Sequence, residues 1–324
     1  MKKLQVPYNL DLQIIDVYRE YCDYISEIYF AAPISIFPTA RQFEIDEEQY
    51  IKDCCLLCDR AYSINIESML LLNGTNVVLD IDCFSRLYKI IALLKSFHLS
   101  GVVIANPILG EWVHETFPEL KIRLSVLSNI YSLEKIKQIE SLGYIQEICL
   151  PQDLNRNEDE LQKLRKHTKL KLSSIVNSAC RINCPLYYWH HNAFNSNSPW
   201  SDYNFKLLKQ SCYNQTKRFV DNQFAAPWIL PSELYLYDEY YQGFKLEDRT
   251  APTETLTKFI KYYSLRINPE KFEDFLHGSC MYSIGRFDIE KLPKEWLNYT
   301  KNCKGECWHC NKCQTILDYY LKEE

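Results

Sequence analysis

Short apolar runs alternate with helically spaced apolar stripes along most of this chain. LQVPYN (4–9) reads as a first strand and LDLQIIDVYREYCDYI as the helix after it. SEIYFAAP (26–33) is a second strand and DEEQYIKDCCLLCDRAYSI a second helix. ESMLLLNG, GVVIANP, KIRLSVLS, IQEICLPQ and KLKLSSIVN repeat the strand signal, and SRLYKIIALLKSFH, GEWVHETF, SLEKIKQIESLG and EDELQKLRKH fill the gaps with helical spacing. An eighth strand fits YQGFKLEDR (241–249), followed by the helix PTETLTKFIKYYSLR. Such alternation joins parallel strands by right-handed crossovers. Eight units without a dinucleotide-binding glycine motif predict an α/β fold of the (β/α)8 TIM type over residues 1–265 rather than a doubly wound sheet. A cysteine-bearing insertion at about 178–240 precedes strand eight, and residues 266–324 form a Cys-rich C-terminal extension ending in the short helix QTILDYYLKEE.

Composition narrows the chemistry. With 47% hydrophobic and 14% aromatic residues, the 324-residue chain can bury a large core. The net charge of −5 arises within residues 1–60, which hold 11 acidic and 6 basic side chains; the remainder balances at 31 of each. Nothing demands a nucleic-acid face, so a peptide or small-molecule substrate is favoured over RNA. No stretch has a signal-peptide layout, and runs such as IIALL (90–94) are too short to span a bilayer. The expectation is a soluble, cytoplasmic protein that makes no use of a membrane. There thiols stay reduced, so 14 cysteines, eight of them at or beyond Cys180, point to metal or iron–sulfur binding rather than disulfides.

The densest group is NCKGECWHCNKC, with Cys303, Cys307, Cys310 and Cys313 inside 11 residues and His309 among them. Thiolates at spacings of two and three suit a cluster or zinc. Cys303-x3-Cys307-x2-Cys310 has the spacing of a radical S-adenosylmethionine cluster, but such triplets follow the first barrel strand, not the last. The second group lies in VNSACRINCPLYYWHHNAF (176–194): Cys180 and Cys184, with Cys212 further along the insertion. A spacing of four places two sulfurs on one face of a helical turn, and Cys280 or a tail cysteine could complete the set. Cys54, Cys55 and Cys58 occupy apolar positions of a helix and read as core, as do Cys22, Cys83 and Cys149.

Polar candidates accompany the thiols. His190 or His191 could bind metal or move a proton; adjacent residues point apart, so one of the two would face the site. Tyr187, Tyr188 and Trp189 would pack the insertion or wall a pocket. Asn73, Asp80, Asp82, Asn106, Asn129 and Gln152 fall at strand ends and would face the barrel mouth. Glu247 and Arg249, two apart on strand eight, share a face as an ion pair or an anion site. His114 and His277 suggest no role. The sequence contains neither a His-Glu-x-x-His zinc motif nor a Gly-x-Ser-x-Gly elbow.

The order of these segments resembles the collagenase-like peptidase family of unknown catalytic type, U32. The carrying stretches are SEIYFAAP, GVVIANP, RLSVLSNIYSLEKIKQIESLGYIQEICLPQDLNRNEDELQKL, VNSACRINCP and FKLEDRTAPTETLTKFIKYY, spread over residues 4–265. The resemblance implies a barrel with four cysteines holding a 4Fe-4S cluster, supporting oxygen-independent hydroxylation of RNA bases or of a quinone ring, sometimes as a heterodimer or with another protein partner. Carried over, Cys180, Cys184 and Cys212 match the first cysteine positions. Two departures stand out: no fourth cysteine lies between Cys212 and Arg249, and Asp248 replaces the usual glycine before Arg249. The expected function is redox modification of a peptide, small molecule or RNA, with one or two clusters, proton handling by His190 or His191, and Arg249 holding an anionic group. A non-catalytic binding or scaffold protein with structural zinc or iron–sulfur sites, zinc at the C-terminal cysteines, is the alternative, and a peptidase the third choice.

Overall fold

In the computed structural model, residues 3–39, 46–194, 206–207, 210–212, 224–276, 287–294 and 296–322 are described. Eight parallel strands close into one barrel in chain order: β1 (Leu4–Pro7), β2 (Ile25–Ala31), β3 (Glu67–Leu72), β4 (Gly101–Ile104), β5 (Lys121–Leu124), β6 (Glu147–Leu150), β7 (Lys171–Ile175) and β8 (Gly243–Lys245). Around them run α1 (Ile14–Glu20), α2 (Glu47–Ser63), α3 (Ile81–Lys95), α4 (Pro107–Thr116), α5 (Leu133–Leu142), α6 (Glu158–His167), α7 (Tyr187–Phe194) and α8 (Thr253–Leu265), with α9 (Trp296–Lys301) and α10 (Lys312–Lys322) in the tail. The fold is the (β/α)8 type that the alternation predicts. Among the described residues no helix is long and apolar enough to cross a membrane.

Two elements are shorter than their patterns. The first helix covers seven residues, because Tyr21–Tyr24 form a turn that feeds β2 directly. Strand eight covers three residues, so Glu247 and Arg249 lie beyond it, and Asp248 between them takes φ +98°. That left-handed backbone is where the resembling family carries glycine, and its strain is held here by bonds to Asp248 Oδ1 from the Thr250 amide and hydroxyl (3.3 and 2.7 Å).

Successive strand residues alternate between the helix layer and the barrel lumen, and the lumen fills in three tiers of four from alternate strands. Glu27, Gly101, Glu147 and Gly243 form the lowest, Gln5, Met69, Arg123 and Ser173 the middle, and Tyr29, Val103, Cys149 and Lys245 the upper. The two glycines make room. A Cβ at Gly243 would stand 2.4 Å from Gln5 Nε2, and one at Gly101 2.4 Å from the Lys121 carbonyl oxygen and 2.9 Å from Met69 Sδ.

The charged members pair with one another, while Gln5 Oε1 and Arg123 Nε are buried without a hydrogen-bond partner among the described residues. Arg123, 2% exposed, reaches Glu27 at 2.6 Å and Glu147 at 3.4 Å, while Gln5 Nε2 donates to Glu147 at 2.8 Å. One cation cannot fully stabilise two buried carboxylates. Burial pushes the Glu27 carboxyl up to about 7 against the pull of Arg123; Glu147 is held below its ordinary value because Arg123, Ser173 and Gln5 outweigh its burial. Above them Lys245, 6% exposed, lies 4.4 Å from the Tyr29 ring centroid, and burial lowers its amine.

Two expectations follow. Arg123→Met leaves carboxylates buried without a countercharge and should destabilise the chain by about 3–5 kcal/mol in denaturant unfolding. Glu27→Gln in the same variant should recover part of the loss. On its own, Glu27→Gln should change the pH profile. In the wild type the folded carboxyl holds its proton after the unfolded one has released it. Its contribution is therefore complete at low pH and fades from the ordinary glutamate range up to about 7. The wild type should lose stability relative to Glu27→Gln across that window and run parallel to it above.

Candidate functional site

The barrel's C-terminal face is organised by Asn177, fully buried just after β7. Its side-chain amide donates to the Glu247 carbonyl (3.3 Å) and accepts from the Glu247 amide (2.8 Å), which clamps the exits of β7 and β8 together. Cys180 follows, its amide donating to Ser178 Oγ at 3.4 Å. Cys180 and Cys184 are linked by a turn rather than the expected helical turn: Asn183 takes φ +56°, and α7 begins only at Tyr187. Three bonds fix this turn. The Asn183 amide donates to Asp153 (3.0 Å), the Ile182 amide to the Ala225 carbonyl (3.0 Å), and Asn183 Nδ2 to the Gly305 carbonyl (3.1 Å).

The three insertion cysteines come within electrostatic reach of one another. Burial pushes the Cys180 thiol up to about 12, and Glu247, Cys184 and Cys212 add to the rise. Burial also raises Cys184, opposed by backbone donors at Leu186 and Tyr187 and reinforced by Cys212. Beside them a cavity of about 200 Å³ is walled by Cys184, Tyr187, Gln152, Asp153 and Arg181. Tyr187 spans its edge with its hydroxyl donating to Gln152 Oε1 at 3.3 Å. Cys280, one expected source of a fourth ligand, and His277 lie outside the described residues.

The polar candidates separate. His190 and His191 stack on each other, centroids 5.6 Å apart, and His191 meets the Tyr187 ring edge-on at 4.6 Å, so the two rings do not point apart. Arg249 is 7% exposed, and its charge acts on Tyr29, Tyr50 and Lys245. Glu247 instead neighbours Cys180 and Tyr187. Asp80 and Asn106 are helix caps, accepting from the amides of Cys83 (2.8 Å) and Ile108 (2.9 Å), and Asp82 lies in the first turn of α3. Asn73 is buried and donates to Ser125. Asn129 closes a short turn in left-handed conformation and, with Gln152, borders the smaller cavity. Cys54, Cys55 and Cys58 are core residues of α2, and Cys149 is buried in the upper tier.

The tail folds back onto this face. Trp296 stacks on Trp228 (5.4 Å, 23°) and meets Phe224 edge-on, Lys301 pairs with Glu158 at 3.0 Å, and Ile316 and Leu317 join the main core. Cys303, Cys307 and Cys310 lie on the loop between α9 and α10, and Cys313 at the start of α10; all four line one cavity of about 390 Å³. Burial lifts the Cys313 thiol to about 11, Arg156 opposing it and the other three cysteines reinforcing it. His309 borders the same cavity and sits 3.7 Å from the Glu306 carboxylate. Among the described residues no three His, Cys, Asp or Glu side chains form a group that could hold a single metal ion. Thiolates are the ligand type of iron–sulfur clusters and of zinc, and these four thiols border one cavity.

Sequence reasoning missed Arg156, Arg181 and Lys245. Arg181 lines both cavities, and Arg156 borders the larger. Lys245 carried a signal, since an inward position next to the end of a barrel strand is where polar side chains reach the mouth. Arg156, in a polar run ahead of α6, carried none. Gly305 matters too: it has φ +71°, and a Cβ there would stand 2.6 Å from Asn183 Nδ2. Gly305→Ala should cost about 1–2 kcal/mol and loosen the joint between the two cysteine loops. Hydrogen exchange should show faster exchange confined to residues 180–184 and 303–313, with the barrel strands unchanged.

Residues 60–183 match the model of peptidase family U32, a stretch from α2 through β7 to the Cys180 turn; Cys184, Cys212 and the tail cysteines lie outside it. Among solved structures, the U32 peptidase Mk0906 is similar at 18% identity and TM-score 0.55, covering 76% of this chain and 93% of that one. A thiamine phosphate pyrophosphorylase from Pyrococcus furiosus aligns at 12% identity and TM-score 0.44, over 82% of this chain and 94% of its own. A conserved protein of unknown function from Enterococcus faecalis aligns at 12% and 0.42, over 82% and 65%. The first shows the fold, and the other two carry no weight at those scores. No curated protein matches.

Proposed function

We propose that this chain, whose residues 60–183 match the model of peptidase family U32, is an iron–sulfur-binding barrel protein supporting redox modification, such as oxygen-independent hydroxylation, of a substrate at the C-terminal mouth. The observation that carries this reading is the convergence of all four tail cysteines on one cavity, next to a second group of three. The donor set fits a 4Fe-4S centre at Cys303, Cys307, Cys310 and Cys313, with Cys180, Cys184 and Cys212 as anchors of a second. Bound there, such a centre supplies one-electron chemistry.

The chain's own groups do the rest. Tyr187, held by Gln152, walls the smaller cavity. His191 stands against the Tyr187 ring, where it or its neighbour His190 can carry a proton near neutral pH. Arg181 borders both cavities and offers an anionic substrate group a positive charge. In this role it replaces Arg249, which lies nearly buried. With net charge −5, a peptide or small molecule is favoured over RNA. Peptide hydrolysis rests on the family's name, and neither common peptidase motif is present in the sequence.

Anaerobic purification with assay of iron, sulfide and zinc tests this. The expected protein is brown, absorbs near ~400 nm and carries about four or about eight irons per chain, for one cluster or two. Cys184→Ser and Cys307→Ser should each lower the iron content of a two-cluster protein by about half. A colourless protein with one zinc would refute the redox reading and leave a structural tail site.

A further inference from the structure

Arg156 ends the 3-10 turn Gln152–Arg156 that follows β6, and it is 2% exposed. Its guanidinium carbon stands 5.3 Å from the Trp296 ring centroid and 5.7 Å from that of Trp228. Contact with ring faces leaves the N–H groups, which lie in the guanidinium plane, still to be satisfied. Nε and Nη2 are buried without a hydrogen-bond partner among the described residues. Burial lifts the Glu233 carboxyl to about 7 although the Arg156 charge opposes the rise, and the two form no ion pair among those residues. A buried cation left this way is costly unless an anion meets it.

Arg156 lines the tail cavity together with Cys303, Cys307, Cys310 and Cys313. As thiols these four groups offer it no charge. When metal binds, each loses its proton to solvent, and four thiolates carry more negative charge than a zinc ion or an oxidised cubane core offsets. We propose that Arg156 is the countercharge and in-plane hydrogen-bond donor of an anionic, all-thiolate metal centre held by Cys303, Cys307, Cys310 and Cys313. The identity of that centre as iron–sulfur rests on the function proposed above; the need for an anion at Arg156 does not. Reduction adds negative charge to such a centre, so a fixed cation beside it favours the reduced state and slows loss of metal. Arg156 is thus a positioning and tuning residue rather than a ligand.

The experiment uses the full chain, purified anaerobically, in a Cys180→Ser/Cys184→Ser background that leaves the tail centre alone. A Cys307→Ser/Cys310→Ser addition is made first. It should remove the remaining metal; metal content unchanged by it overturns the tail site itself, before Arg156 is touched. Given a tail centre, Arg156→Gln should keep the wild-type circular dichroism, lose metal to a chelator about tenfold faster and show a lower midpoint potential in a spectroelectrochemical titration. Arg156→Lys keeps the charge without the planar donors, so its midpoint should stay near that of the parent while metal loss is a few-fold faster. Parent rates and potential in Arg156→Gln would overturn the role of Arg156 while leaving the centre standing. Should Arg156→Gln fail to fold, Arg156→Lys decides, and metal loss at the parent rate overturns the proposal.

Discussion

The guanidinium of Arg123, caught between Glu27 and Glu147 in the barrel lumen, is the constraint around which the rest is arranged. A barrel interior is ordinarily filled by branched apolar side chains. Here β1, β2, β5 and β6 meet through Gln5, Glu27, Arg123 and Glu147, and a register slip of one residue on any of them would turn a charged or amide side chain out into the apolar helix layer. The glycines of β4 and β8 belong to the same arrangement, since they yield space to Met69 and Gln5. The ionic middle thereby specifies register, and register decides which residues emerge at the mouth.

Buried cations are treated differently at successive heights. Arg123 has two carboxylates. Lys245, one tier higher, has an aromatic face and thiol and carboxyl neighbours at a distance. Arg156, above the barrel, has aromatic faces and open donors. Compensation falls toward the C-terminal face, where barrel enzymes place their chemistry. A stable fold tolerates an uncompensated buried charge only where structure or ligand repays it, which singles out the tail cavity independently of its cysteines.

Most of the barrel was legible in the sequence because its signals are local. Apolar runs such as GVVI and helical stripes such as SLEKIKQIESL report their own elements, and the counting of units follows. The cysteine groups were legible by density. What stayed hidden depends on contacts far apart in the chain. Strand eight reads as nine residues by composition, but its pairing with β1 and β7 supports three, and the left-handed Asp248 ends the ladder. Cys180 and Cys184 look like a helical pair by spacing, yet bonds donated to Asp153, Ala225 and Gly305 fold that segment into a turn. Asp80 and Asn106 look like mouth residues by position, and the amide donors of the next helix claim them instead. Arg156 lies in PQDLNRNEDE, indistinguishable from solvated polar residues until Trp228 and Trp296 close over it.

The same non-local bonds tie the two cysteine groups into one device. Asn183 sits between Cys180 and Cys184, Gly305 between Cys303 and Cys307, and a hydrogen bond of 3.1 Å joins them. Arg181, on the same turn, borders both cavities. Whatever orders the tail loop therefore also orders the turn that presents Cys180 and Cys184, so a ligand filling one cavity would lower the conformational entropy cost of assembling the other. This coupling needs no movement of the barrel, because the turn is clamped below by Asn177 and Glu247 to strands that the Arg123 network already holds in register.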